Sequence, residues 1–173
     1  MLTFPVSIVA VNELSAEAFV EAFGDVAEHS PWVAEGAAAR RPFADRDAMA
    51  EAFIDTVLDA GEPKKLDLLL GHPDLAGRAA IAGDMAEDSK REQAGAGLDR
   101  LSPEEFARFT ELNEAYRRRF CFPFILAVKG VTKEQILNSF AKRLRNDPEA
   151  EFHNAVRQVL KIITFRIEDR VAG

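Results

Sequence analysis

A histidine in a broken stretch of chain is the first residue here that could do chemistry. Leu68-Leu69-Leu70 is followed by Gly71-His72-Pro73-Asp74-Leu75, where glycine and proline end a helix and leave the imidazole at the edge of a loop. Imidazole titrates near neutrality, which suits it to proton exchange. The same residues also read as an ordinary turn, in which Asp and His satisfy backbone groups beside a proline. Farther on, Ser89-Lys90-Arg91-Glu92-Gln93 has two readings of its own. Ser and Glu at this spacing form a capping box at a helix start, or they share a helix face and aim a hydroxyl and a carboxylate at one ligand. Arg166 is the third candidate, because Val159, Ile162 and Ile163 precede it at helical spacing and place its guanidinium on an apolar stripe. Either the head snorkels to water, or it is buried against a carboxylate such as Glu92 or an anionic substrate, because an unpaired buried charge is very costly. A metal centre is not expected, since His29 and His153 stand at no recognised ligand spacing from His72.

These residues need elements to position them, and the apolar periodicity is helical almost throughout, with no alternating strand followed by a hairpin turn. An all-α single domain of about seven to nine helices is expected, covering residues 1–173 with a core over about 8–170. Ser15 is placed to cap a helix carrying Phe19, Val20 and Phe23, and Ser30-Pro31 to start another. Asp45 caps a helix that buries Phe53, Ile54, Val57 and Leu58 before Gly61. Ser102-Pro103-Glu104-Glu105 is a cap, an N1 proline and a capping-box glutamate, and opens a helix running to about Phe120. Thr132 with Gln135 repeats the pattern, and Asp147-Pro148 starts a last helix reaching Arg170. Between them, Phe122-Pro123-Phe124-Ile125-Leu126-Ala127-Val128 suits an extended buried linker at least as well as a helix, and is taken as a connecting segment.

Composition narrows the class. At 173 residues with 47% hydrophobic residues, the chain can bury a sizeable core. A net charge of −7, with basic residues dispersed among acids, speaks against a nucleic-acid surface. Arg117-Arg118-Arg119 is expected to be a solvated helix end. The single Cys121 allows no internal disulfide and fits a reducing compartment. No apolar run approaches membrane-spanning length and no secretory or peroxisomal signal is visible, so no membrane partner and a cytoplasmic location are expected.

Taken together and in order, the motifs resemble the OHCU decarboxylase family, which acts on 2-oxo-4-hydroxy-4-carboxy-5-ureidoimidazoline in the breakdown of urate. The resemblance is carried by Arg41-Pro42-Phe43, Gly71-His72-Pro73-Asp74-Leu75-Ala76-Gly77, Ser89-x-x-Glu92-Gln93 with Ala96-Gly97-Leu98, Leu112-Asn113, Phe122-Pro123-Phe124-Ile125, and Lys161-Ile162 leading to Arg166. It implies an all-helical domain that pairs into a homodimer and releases CO2 to give (S)-allantoin, with no metal or organic cofactor. It also implies catalytic roles for His72, Glu92 and Arg166, and a substrate-binding set of Pro73, Ser89, Gln93 and the backbone around Phe124 and Ile125. The small-molecule partner would be the ureidoimidazoline carboxylate.

On that reading His72 exchanges a proton with the substrate hydroxyl, with Asp74 close enough to assist. Glu92 orients the imidazole or the ligand, and Arg166 holds an anionic or carbonyl oxygen. Phe122 and Phe124 are candidates for a dry wall. Two rivals stand beside it: a non-catalytic helical protein-binding module, in which Arg166 pairs internally, and a decarboxylase or hydrolase of a related ureido compound.

Overall fold

The structure, a computed structural model, describes residues 2–77 and 85–173. Nine helices lie among the described residues, and the only β-type pairing among them is a bridge between Val6 and Val171. The all-α expectation is met. The chain divides into two compact units, Met1–Gly71 with Leu160–Gly173, and His72–Val159.

In the first unit, α1 (Ile8–Glu13) and α2 (Ala16–Phe23) begin at Ser7 and Ser15, whose hydroxyls accept from the Ala10 and Ala18 amides at 3.3 and 3.1 Å. Asp45 caps α4 (Arg46–Asp59) in the same way, accepting from Ala48 at 2.8 Å. Each satisfies an amide that the helix start would otherwise leave without a partner. Between them, α3 (Trp32–Ala38) follows Pro31, and no side chain caps it. The expected Ser30 cap is therefore absent: Ser30 is buried, and it is its carbonyl that accepts from the Val33 amide, at 3.1 Å. Helices α3 and α4 approach so closely that a Cβ on Gly36 would sit 2.3 Å from Thr56 Cγ2, a position only glycine can fill.

The core of this unit gathers around Phe19, whose ring lies 5.1 Å from Phe23 and 6.1 Å from both Phe43 and Phe53. Phe53 and Val57 of α4 are buried as expected, but Leu58 is exposed. Leu58 adjoins Val57 in sequence and so lies a third of a turn round the helix from it. The unit continues through α5 (Glu62–Leu70), where Leu68 and Leu69 are buried and Leu70 is 47% exposed. A run of three leucines cannot all face one side of a helix. Arg41-Pro42-Phe43 proves architectural: Arg41 donates to the Ala38 carbonyl at 3.1 Å and to that of Leu14, while Phe43 and Asn12 exchange two 2.8 Å bonds.

The second unit holds α6 (Glu87–Gly95), α7 (Pro103–Phe120), α8 (Lys133–Arg143) and the start of α9 (Pro148–Arg170). Both capping boxes form. Ser102 and Glu105 exchange bonds at 3.1 and 2.8 Å, and Thr132 and Gln135 at 3.2 and 2.9 Å. Cys121 ends α7 in the left-handed region, φ 63°. Phe122–Val128 then runs without helix, its Phe122, Phe124, Ile125 and Val128 side chains buried.

A buried polar cluster braces that segment. Arg143 Nη1 donates to the Ile125 carbonyl and its Nε to Glu151 Oε1, each at 2.6 Å, and its guanidinium lies 4.3 Å from the Phe124 ring centre. The Tyr116 hydroxyl donates to the same Glu151 oxygen at 2.6 Å, while Asn146 serves the other at 2.7 Å. Burial, and then the hydrogen bond to Glu151, push the Tyr116 phenol far above its usual range. Because the folded protein holds this proton more tightly than the unfolded chain, the contribution is complete below about pH 10 and declines above it. Tyr116 is the only tyrosine, so absorbance at 295 nm reads it directly. We expect no tyrosinate signal until alkaline unfolding, and the two transitions should coincide; tyrosinate appearing in folded protein near pH 10 would contradict the burial.

Candidate active site

The His72 loop begins where α5 ends, with the Gly71 amide bonded to the Asp67 carbonyl at 3.0 Å. His72 itself is 5% exposed. The expectation of a loop position holds, but the imidazole is packed inside rather than left at an open edge. Residues 74–77 then make a tight turn, with the Gly77 amide 3.4 Å from the Asp74 carbonyl and Ala76 at φ 54°. A Cβ on Gly77 would come within 2.7 Å of Asp74 Cβ, so the turn requires glycine there.

Two helices of the same unit grip this turn. From α6, Gln93 Oε1 accepts from the Ala76 amide at 2.9 Å and Nε2 donates toward the Asp74 carbonyl at 3.4 Å. From α7, Asn113 Nδ2 donates to the Leu75 carbonyl at 2.8 Å, and Arg117 contacts Asp74 Oδ1 at 3.1 Å. Arg117 is thus an ion-pair partner rather than part of a merely solvated helix end. Gln93, expected to help hold a ligand, has its amide engaged with the loop, and this loop role for Gln93, Asn113 and Arg117 was not read from sequence. The signal available was the Leu112-Asn113 pair in the family pattern, which carried no role of its own.

Helix α6 settles the reading of Ser89 and Glu92. It starts at Glu87 after Ala86, which makes no side-chain cap, and its acidic first turn, Glu87 and Asp88, suits the positive end of the helix. Ser89 and Glu92 therefore lie inside the helix, three apart on one face, and the capping-box alternative falls. Ser89 is buried and Glu92 half-buried.

In the first unit, Arg166 of α9 is 2% exposed, so its head does not snorkel. Its Nη2 bonds Glu28 Oε1 at 2.8 Å and its Nη1 the Val26 carbonyl at 3.0 Å. The buried carboxylate demanded by the apolar stripe is thus Glu28, which sequence reasoning did not single out. It sits at φ 52° in the turn after α2. This internal pairing is the arrangement expected of a non-catalytic module, so Arg166 alone does not separate that rival from an enzyme. One turn farther along, Arg170 binds Asp25 Oδ1 at 2.7 Å and the Ala22 carbonyl at 2.9 Å.

Among the described residues, no group of three or more His, Cys, Asp or Glu is arranged to hold a metal ion, and no helix is long and apolar enough to cross a membrane. A buried histidine on a braced loop stands in the same unit as a helix carrying a hydroxyl and a carboxylate on one face, a set of side chains of the kind that can manage protons in an all-helical protein. The OHCU decarboxylase family model matches residues 12–168, and the chain belongs to that family.

Its relatives include the 2-oxo-4-hydroxy-4-carboxy-5-ureidoimidazoline decarboxylase of Haloferax volcanii, 41% identical and covering 94% of this chain and 95% of the relative. The protein of the same name from Mus musculus is 36% identical over 94% of this chain and 91% of its own length. Among solved structures, a crystal structure of (S)-allantoin synthase superposes with a TM-score of 0.76 at 30% identity. That match covers 97% of this chain but 54% of the other, so the chain spans about half the length of that protein.

Proposed function

We propose that this carboxy-lyase runs its decarboxylation through His72, with Glu92 orienting the imidazole or the ligand and Arg166 holding an anionic or carbonyl oxygen. The reaction is the family's, the loss of CO2 from OHCU to give allantoin in urate degradation. The observation that carries the assignment is the placement of His72, a buried imidazole two residues before a turn held by three side chains. Such bracing is unneeded for a passive surface loop and is what a proton-transfer group requires.

The substrate provides the electron sink. As the carbon–carboxylate bond breaks, its electron pair moves into the bond toward the neighbouring ring carbon, and the electrons of the adjoining C=N pass to nitrogen, which takes a proton. The enol-like product then loses its hydroxyl proton, here to His72, as the neighbouring carbon gains one. One proton is taken up overall for each CO2 released. Protonation of that carbon from one face gives the (S) product, and no cofactor is needed for any step. Ser89, Pro73 and the backbone at Phe124 and Ile125 complete the substrate contacts on this reading, with Phe122 and Phe124 keeping the pocket dry as the carboxylate loses its charge. We further assign a homodimer, a single working domain and a cytoplasmic location.

The experiment generates OHCU in place from urate with the two preceding activities, adds this protein, and follows chiral allantoin by circular dichroism. Production of (S)-allantoin above the uncatalysed rate is expected; racemic product at the background rate would refute the proposal. Because Glu92 has no capping duty in α6, Glu92→Gln should keep its Tm within about 2 °C yet lose about 10²-fold in kcat. Full turnover in that variant would remove Glu92 from the mechanism.

A further inference from the structure

We propose that Asn113 and Arg117 of α7, together with Gln93 of α6, are positioning residues for turnover: they clamp residues 74–76 and thereby fix the His72 imidazole. Three consecutive residues are each held by a side chain from a helix distant in sequence. Asp74 is held by Arg117 at 3.1 Å, Leu75 by Asn113 at 2.8 Å, and Ala76 by Gln93 at 2.9 Å. The grip is more than a turn needs. Residues 74–77 already close on their own backbone through the Gly77 amide, and turns of this kind stand on the surface of many proteins without such support.

What the clamp resists is visible in the backbone. Ala76 sits at φ 54°, a left-handed conformation that its Cβ disfavours and that persists only where the surroundings over-determine it. Between the clamped segment and His72 stands one residue, Pro73, whose ring fixes its own φ and confines the residue before it to extended backbone. A displacement of Asp74 is therefore passed to His72 rather than absorbed in a soft joint. Asn113 is also buried, and its Oδ1 accepts no hydrogen bond among the described residues. A side chain serving packing alone would be better replaced there by an apolar one; its value lies in the bond to Leu75.

The proposal rests on the assignment of His72, and the test separates the two. Arg117→Met removes a side chain that is 45% exposed, so folding is not at issue; Asn113→Ala removes the buried bond. Each should lower kcat about tenfold to a hundredfold, as expected when a reacting group is misplaced by a fraction of an ångström to an ångström, with KM within about twofold. Arg117→Lys, which keeps the charge opposite Asp74, should recover most of the loss. Ile136→Val, a buried change in α8 chosen to match the loss of Tm, should leave kcat alone.

Unchanged kcat in both clamp variants would overturn the proposal and leave only a structural role. A raised KM with kcat unchanged would overturn it as well, since it would mean that these side chains meet the substrate. Should Asn113→Ala fail to fold, Arg117→Met and its lysine counterpart decide the matter. Full activity in His72→Ala would reject the His72 assignment and the clamp with it; an inactive His72→Ala beside fully active clamp variants would reject the clamp alone.

Discussion

Replacing His72 by alanine is expected to cut kcat for (S)-allantoin formation by about 10²–10⁴-fold, the range general acid–base catalysis supplies, while the protein stays folded. The imidazole is buried on a loop, outside the aromatic cores built around Phe19 in one unit and Tyr116 in the other. Its removal should cost about 1–2 kcal/mol, lowering Tm by a few degrees at about 2–4 °C per kcal/mol. On the proposed assignment other groups bind the substrate, so KM should move less than kcat. The measurement is initial-rate circular dichroism on freshly generated substrate, beside thermal unfolding of the same preparation. Turnover within about threefold of the parent would exclude His72 as the proton-exchange group, because a loss that small falls well below what such a group contributes.

How far this site could be read in advance depends on the distance over which each signal acts. The capping residues Ser15, Asp45, Ser102 and Thr132 were legible because the amide each one serves is three residues away. The extended segment at Phe122–Val128 was legible because proline and β-branched residues act on their own backbone. Ser89 and Glu92 were ambiguous for a physical reason: a capping box and a shared helix face have the same spacing, and only the start of α6 at Glu87 separates them. Ser30 misled for a related reason, since a cap-forming residue before proline is also a residue a core can bury.

The partners lay out of reach. Glu28 and Arg166 are 138 residues apart, and Asn113 and Leu75 38 apart, and no local pattern connects either pair. The helical period showed that Arg166 needed an anion without showing which one. Likewise Arg143, Glu151 and Tyr116 read as unremarkable members of three helices until the fold brings them together beneath Ile125.

The Arg166 pair gives the second large effect, on stability and activity separately. The two side chains are 2% and 0% exposed, so Glu28→Gln removes a buried counter-charge that the Arg166 guanidinium meets at 2.8 Å, which should cost about 3–5 kcal/mol and lower Tm by about 6–20 °C. Arg166→Lys should fail for a different reason. A guanidinium reaches the Val26 carbonyl and Glu28 with two nitrogens of one plane, whereas a single ammonium cannot reproduce that fork. Replacing both partners by apolar residues, Glu28→Leu with Arg166→Met, removes both charges together and should recover much of the stability lost by the single changes. That double variant then answers what the ion pair leaves open. If Arg166 also holds a substrate oxygen, the double variant unfolds near the parent Tm but turns over about 10²-fold more slowly, as after loss of one oxyanion-type contact. If the pair only braces the end of α9 against the turn after α2, the stable double variant stays active, and Arg166 leaves the mechanism while His72 and Glu92 remain to be judged by their own substitutions.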